Sequence, residues 1–461
     1  MKHEKALHDA ATMDGLPPRE RAWAMLSIGI GVGMSSLDTA IANTALPAIA
    51  QQLHATPAAS VWIVNVYQLA MVATLLPFAA LSELVGYRRM CLIGVALFTI
   101  ASLGCALSVS LPMLVTARLL QGLGASALMS VNGALLRLIY PAKIRGRGFG
   151  TNALVVAVGF ALGPSLASTI LAFWSWPWLF AVNVPFGIVA VLLGRRVLPQ
   201  TVARSGRYDY LAALFNMGAF GLLILALGDA THLARASTTL LEFAAAALLF
   251  LLLLKREAGQ QAPMLPTDLF RNPLFALSSL TAVCTFATQS LAFVSLPFYF
   301  ETSLGRSPVE TGFLMTPWPV LVGVMAPIAG RLSDRYSPGL LGGIGLLALA
   351  GGMLSLFLMP LDPSIFAIGW RMALCGVGFG FFQAPNLKAI MGSAPAHRSG
   401  GASGIVATSR LTGQALGAAL VALCLSISTH GASWALVLGS VFAALASAAS
   451  FSRLLVSRRA V

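Results

Sequence analysis

The sequence predicts an all-α polytopic membrane protein: two six-helix halves plus two inserted helices, about fourteen transmembrane helices in all. Three observations carry that prediction. Apolar runs of roughly 20 residues or more recur along the whole chain. Basic residues gather in alternate connecting segments. Landmarks near the start recur about 250 residues later.

Taken in order, the runs fall at 23–47, 57–83, 89–108, 111–136, 148–171, 176–194, 208–229, 236–254, 273–300, 309–330, 339–359, 363–391, 403–427 and 432–452. They leave no stretch for a soluble domain. The chain divides into a cytoplasmic tail (1–22), an N-terminal six-helix half (23–198), an inserted helix pair (199–258), a C-terminal six-helix half (259–452) and a short cytoplasmic tail (453–461). The first twenty residues lack the apolar core of a cleaved signal peptide, so helix 1 serves as an uncleaved signal-anchor. Helices 7 and 8 are apolar nearly all round, which places them at the periphery against lipid, with Asp229 and Glu242 interfacial.

The formal charge of +14 would suit nucleic acid, but position argues otherwise. Lys2, Lys5, Arg19 and Arg21 precede helix 1. Arg88 and Arg89, Arg137 to Arg147, Arg195 to Arg207, Lys255 to Arg271, Arg331 and Arg335, Lys388 and Arg398, and Arg453 to Arg459 fall in later segments on the same side. Only Arg235 and Arg306 fall in the opposite loops. This positive-inside pattern predicts cytoplasmic termini and a bacterial-type inner membrane, and the bilayer rather than nucleic acid as the partner. The five cysteines lie within helices without metal-ligand spacing and read as small apolar packers, so no metal or cofactor is expected.

Leu46-Pro47 matches Leu296-Pro297, the helix 2–3 segment from Ala79 matches the helix 10–11 segment from Gly330, and Arg118 matches Arg371. Parallel halves of this kind hold a substrate site near the midplane and alternate its access by rocking. No oligomer is required.

Asp38 is the chemically decisive residue, because an acid deep in an apolar span is costly and marks function. Arg118 lies in the same layer, both roughly 10–14 Å below the outer helix ends. A neighbouring cation favours the carboxylate and desolvation without one favours the neutral acid, so remaking this pair would bind and release a proton. A fixed ion pair that sets helix packing is the alternative. Asn43, Tyr67, Gln68, Gln121, Gln289, Gln383 and Asn386 are candidates for the substrate cavity. Arg371 is a further one, able to pair with a substrate anion, with the Asp38 side of the cavity or with carbonyls. Gly159, Gly163 and Pro164 form a GxxxGP element that predicts a tight contact or bend in helix 5. Glu83, Gly86, Arg88 and Arg89, with Asp334 and Arg335 in the matching loop, are candidates for a cytoplasmic gate. Lys388 reads as a snorkelling side chain. Trp62, Trp174, Trp176 and Trp178 read mostly as an interface belt.

Together these segments resemble the major facilitator superfamily, specifically its fourteen-helix drug:proton antiporter branch. LDTAIANTALP at 37–47 is similar to that branch's helix 1 signature, RLLQGLG at 118–124 to its helix 4 motif, and GFALGP at 159–164 to its helix 5 antiporter motif. WSWPWLFAVNVPFG at 174–187 is similar to the start of its helix 6, with Pro177 where arginine is usual. The helix 2–3 motif departs from the family pattern, with Ala79, Glu83 and Leu84 in place of its glycine, aspartate and arginine. The resemblance implies two major-facilitator halves, Asp38 as the proton- or substrate-coupling acid, Arg118 as its partner and Gly163-Pro164 as the bend associated with antiport.

The resulting expectation is a secondary transporter, not an enzyme, exporting small lipophilic organic compounds in exchange for protons by alternating access, as in multidrug efflux and drug resistance. Alternatives are a dedicated metabolite or siderophore exporter, or a proton symporter. A membrane-embedded enzyme is remote, since His3, His8, His54, His232, His397 and His430 all lie in loops or termini.

Overall fold

Inside a bilayer each backbone N–H and C=O must be satisfied within its own segment, so an apolar chain of this length has helix as its economical solution. The computed structural model describes residues 15–200, 208–229, 236–258, 265–360, 362–395 and 398–459, and no strand occurs among them. Fourteen long helices follow one another: α1 Pro18–Gln52, α2 Pro57–Val85, α3 Tyr87–Ala106, α4 Leu111–Ile139, α5 Arg145–Phe173, α6 Pro177–Val197, α7 Tyr210–Asp229, α8 Ala236–Glu257, α9 Pro273–Ser303, α10 Pro308–Leu332, α11 Pro338–Phe357, α12 Ile365–Ser393, α13 Ser399–Ile427 and α14 Gly431–Arg459. Thirteen are long and apolar enough to cross a membrane, and the apolar part of α7, Tyr210–Ala226, is shorter.

Local sequence sets where helices start. Thr56, Asn272, Ser307 and Ser337 each cap a helix through a side-chain oxygen, and each precedes a proline whose missing N–H costs nothing at a first turn. Gly86 separates α2 from α3 at φ 97°, a conformation other residues rarely adopt.

The repeat is visible as packing. The pairs α3–α4, α2–α4 and α1–α5 recur as α11–α12, α10–α12 and α9–α13. The same glycines make the crossings: a Cβ on Gly94 would stand 2.8 Å from the Gly124 carbonyl oxygen, and one on Gly345 would stand 2.7 Å from that of Gly378. Gly122 likewise approaches the Tyr67 carbonyl as Gly376 approaches that of Trp318. The halves meet along α1–α9, α2–α13 and α5–α10.

The inserted pair differs from the peripheral placement its composition predicts. The outer helix, α8, does present exposed leucines such as Leu241, Leu248 and Leu251. But α7 lies against both α2 and α13, at one seam between the halves. Pro77 in α2 cannot donate to the Ala73 carbonyl four residues earlier, and the fully buried Asn216 of α7 donates to it instead at 2.9 Å. The Tyr208 hydroxyl donates to the Pro77 carbonyl at 3.2 Å. Arg256 at the end of α8 holds both carboxylate oxygens of Asp209, just before α7, at 2.9 Å.

Two further expectations are corrected. Helix α14 continues past 452, and Arg453 is buried rather than part of a solvated tail, donating to Ser278, Asn386 and Ser450. Trp176 is buried against Phe180, whereas Trp174 and Trp178 are exposed as belt residues should be. The tail residues Lys2, Lys5, His3 and His8 and the loop residues Arg204, Arg207, His232, Arg235 and His397 lie outside the described residues, as do the side chains of Asp229, Arg458 and Arg459.

Candidate functional site

Asp38 and Arg118 meet in the N-terminal half. Asp38 faces away from lipid in the middle of α1, and Arg118 reaches it from the second turn of α4, with Nη1 to Oδ2 at 2.5 Å. Both side chains are essentially unexposed. Further hydrogen bonds surround them. The amides of Gln121 and Asn183 donate to Asp38 Oδ1, each at 2.9 Å. Arg118 Nε donates to the Ile63 carbonyl at 3.0 Å, and Nη1 also donates to Gln121 Oε1 at 2.6 Å. Gln121 donates as well to the Ser102 hydroxyl. The guanidinium stacks over the Tyr67 ring at 4.2 Å and lies 5.6 Å from that of Phe180. Five helices of one half thus hold one ion pair, with Arg118 Nη2 left without a hydrogen-bond partner among the described residues.

Toward the face that carries both chain ends, the halves part around a cavity of about 260 Å³. Met71, Met129, Asn132, Asn152, Phe286, Phe382, Gln383, Asn386 and Arg410 are among its lining. A chamber of about 20 Å³, enough for one water, continues from it toward Ser35, Thr39, Tyr67, Gln68 and Gln414. The Tyr67 hydroxyl lies 2.9 Å from Ser35 Oγ, and the Tyr67 ring stands between this chamber and the Arg118 guanidinium. On the opposite face the outer half of α1 from Ala40 to Ala50 is buried without interruption, as is α9 from Ser290 to Phe300.

The GxxxGP segment closes part of that opposite face. A Cβ on Gly159 would stand 3.1 Å from the Gly33 carbonyl oxygen, and one on Gly163 would stand 2.2 Å from Ala40 Cβ. Ser165 in α5 bonds Thr316 in α10 at 2.8 Å, and Gly312 leaves room for Ser168. The segment is therefore where α5 touches both α1 and the other half.

Other predicted site residues are placed differently from one another. Tyr67 and Gln68 border the chamber, and Gln383 and Asn386 border the cavity. Gln121 is not on the cavity but in the ion-pair shell. Asn43 is buried on the closed side, and its Oδ1 has no partner among the described residues. Gln289 accepts from Gln414 at 3.5 Å. Arg371 lies apart from the cavity: its guanidinium is taken by the Ser355 and Ala367 carbonyls and stacks on Trp370, so the pseudo-symmetric mate of Arg118 has no acid to meet. Among the proposed gate residues, Arg88 donates to the Arg195 carbonyl, inside the N-terminal half. Asp334 pairs with Lys388 at 2.6 Å rather than with its neighbour Arg335, inside the C-terminal half. Lys388 also donates to the Ser333 carbonyl. These contacts tie helices within each half. Glu83 lies in the last turn of α2 and Arg89 in the first turn of α3, with Gly86 making the turn between them.

Sequence reading passes over three participants. Asn183 sits among apolar and aromatic residues at the start of α6 and reaches Asp38 only through the fold. Ser102 anchors Gln121. Arg410 lies eleven residues into α13, an ionisable group as deep in an apolar run as Asp38 and marked by the same cost.

Two parallel six-helix halves around a cavity sealed on one face define a membrane transporter. A family model described as Major Facilitator Superfamily matches residues 28–418, and the chain belongs to that family. It is 50% identical over 444 residues to the "Uncharacterized transporter YebQ" of Escherichia coli, covering 96% of this chain and 97% of that one. It is 32% identical to the "Riboflavin transporter RibZ" of Clostridioides difficile over 87% of each chain. It is 31% identical to the "Multidrug resistance protein Stp" of Mycobacterium tuberculosis over 87% of this chain and 75% of that one. The crystal structure of a D-xylose-proton symporter has the same fold, with a TM-score of 0.69 at 16% identity, covering 93% of this chain and 97% of that one.

Proposed function

We propose that the chain is a proton-coupled exporter of small lipophilic organic compounds, working by alternating access across an inner membrane with both termini cytoplasmic. The observation that carries the reading is the Asp38–Arg118 pair, fully buried behind Tyr67 at the closed end of a cavity open on one face. In this state Asp38 accepts hydrogen bonds from Arg118, Gln121 and Asn183. Because the pair lies within one half, coupling requires α1 to shift against α4 and α6 inside that half as the halves rock. A carboxyl parted from its cation in a dry site takes up a proton, so exposure to the opposite face loads it and return to the present arrangement expels it. Gly163 and Pro164 act as the bearing for that motion, and the loop residues Glu83, Arg88, Arg89, Asp334 and Arg335 become available to latch the mouth when it closes. Asn43 then faces the opening on the other side, while Tyr67, Gln68, Gln289, Gln383 and Asn386 contribute polar contacts.

Likeness to Stp supports a broad export role. A second reading, a dedicated carrier of one metabolite, is favoured by 32% identity to RibZ. The deciding experiment is proton release from protein reconstituted in liposomes on adding lipophilic cations, anions and neutral compounds, with Asp38→Asn in parallel. Release by wild type alone supports antiport through Asp38; export by Asp38→Asn at the wild-type rate removes Asp38 from the mechanism.

A further inference from the structure

Several arginines lie within the long helices, and three of the deeper ones have their charge answered by protein groups. Arg118 has Asp38, Arg371 has two backbone carbonyls, and Arg453 has Ser278, Asn386 and Ser450. Arg410 is the exception. It borders both the cavity and the chamber beyond it. Its Nε is buried without a hydrogen-bond partner, and no ion pair involves it among the described residues. No aspartate or glutamate lines either space.

A guanidinium in a largely apolar recess with no counter-charge costs free energy unless something else supplies the acceptors. The planar fork of arginine matches a carboxylate or other oxyanion in a two-point contact. Near it the cavity offers two aromatic rings, Phe286 and Phe382, set edge-to-face at 6.3 Å, and the side chains of Gln383 and Asn132. A volume of about 260 Å³ lies just below the usual range for small-molecule sites and admits a compound of one or two rings.

We propose that this cavity selects a small ring-bearing organic anion, its oxyanion head received by Arg410 and its ring by Phe286 and Phe382. The proposal deepens the transporter reading, since it takes the cavity as the transport site. A lipophilic cation of the same shape would be repelled by Arg410 and would find no carboxylate in its place. The sequence offers Arg371 as one candidate for an anion; the geometry assigns that task to Arg410.

The test uses the purified full chain and three probes of one shape: naphthoate, naphthamide and naphthylmethylammonium, with binding followed by calorimetry. Wild type is expected to bind naphthoate at least about tenfold tighter than the other two, the worth of one charge-assisted hydrogen-bonded pair. Arg410→Gln should erase that preference and Arg410→Lys should retain most of it, both judged against an unchanged melting temperature. Equal or tighter binding of the amide or the ammonium by wild type overturns the proposal. So does failure of all three to bind, or an undiminished naphthoate preference in a well-folded Arg410→Gln. Proton-linked counterflow in liposomes separates the two readings. Naphthoate binding without proton movement leaves the anion site standing and sinks antiport, whereas proton-linked export of the ammonium does the reverse.

Discussion

At the scale of residues, Asp38 and Arg118 form a site in which each polar atom that touches the pair has a definite task. Removing Arg118 leaves a buried carboxylate with only the Gln121 and Asn183 amides, a loss of about 3–5 kcal/mol if the acid stays charged. Arg118→Ala is therefore expected to alter the pH profile of transport; a profile identical to wild type in liposome assays would identify the pair as packing alone. Tyr67 separates the pair from the chamber. Tyr67→Phe should preserve coupling, while Tyr67→Ala should open a proton leak, read with a pH-sensitive dye in the absence of substrate. The Asp38–Arg118–Gln121 core is legible in the sequence because ionisable and amide groups in apolar spans announce their cost. Asn183 and Ser102 are not, since a lone amide or hydroxyl in a membrane helix can satisfy itself on its own backbone, and only the fold aims these two at one point. Arg410 shows the same signal as Asp38, but a survey of basic residues by side of the membrane has no place for a cation in the middle.

At the scale of elements, the glycines decide how closely helices cross. Gly163→Val places side-chain atoms where Ala40 already is, an overpacking cost of about 1–3 kcal/mol, and should abolish transport while lowering the melting temperature. Retained export with normal melting would show that α5 and α1 do not need this approach. The order of helices and their approximate spans follow from hydropathy alone, with ends off by a few residues: 23–47 is Pro18–Gln52, and 432–452 is Gly431–Arg459. The position of α7 does not follow, because a helix apolar all round gives no sign of which neighbour it serves. Its one informative residue is Asn216, and the group it serves is a carbonyl freed by a proline more than a hundred residues away in sequence. Asn216→Leu should cost about 1–3 kcal/mol in thermal unfolding, the penalty of leaving that carbonyl unpaired.

At the scale of the whole molecule, the arrangement is open on one face and closed on the other, and alternation between the faces can be read by chemical labelling. Cysteines placed at Asn152 and Gln383 should react with a hydrophilic maleimide from the face bearing the chain ends. One at Asn43 should react only from the opposite face, and only under turnover. Export of a monoanion against one proton would carry two charges per cycle, so an inside-negative potential of 100 mV would contribute about 4.6 kcal/mol even without a pH difference. Uptake into inverted vesicles should then respond to potential alone.

The insert also bears on how the chain can be divided. Since α7 supplies the donor that Pro77 of α2 lacks, the pair α7–α8 belongs by bonding to the first half, although the repeat counts it as a spacer. Two fragments cut near residue 200 would separate a broken ladder from its splint, while a cut near 260 would keep them on one piece. Co-expressed fragments from the later cut should reassemble into an active carrier, and those from the earlier cut should do so poorly or not at all.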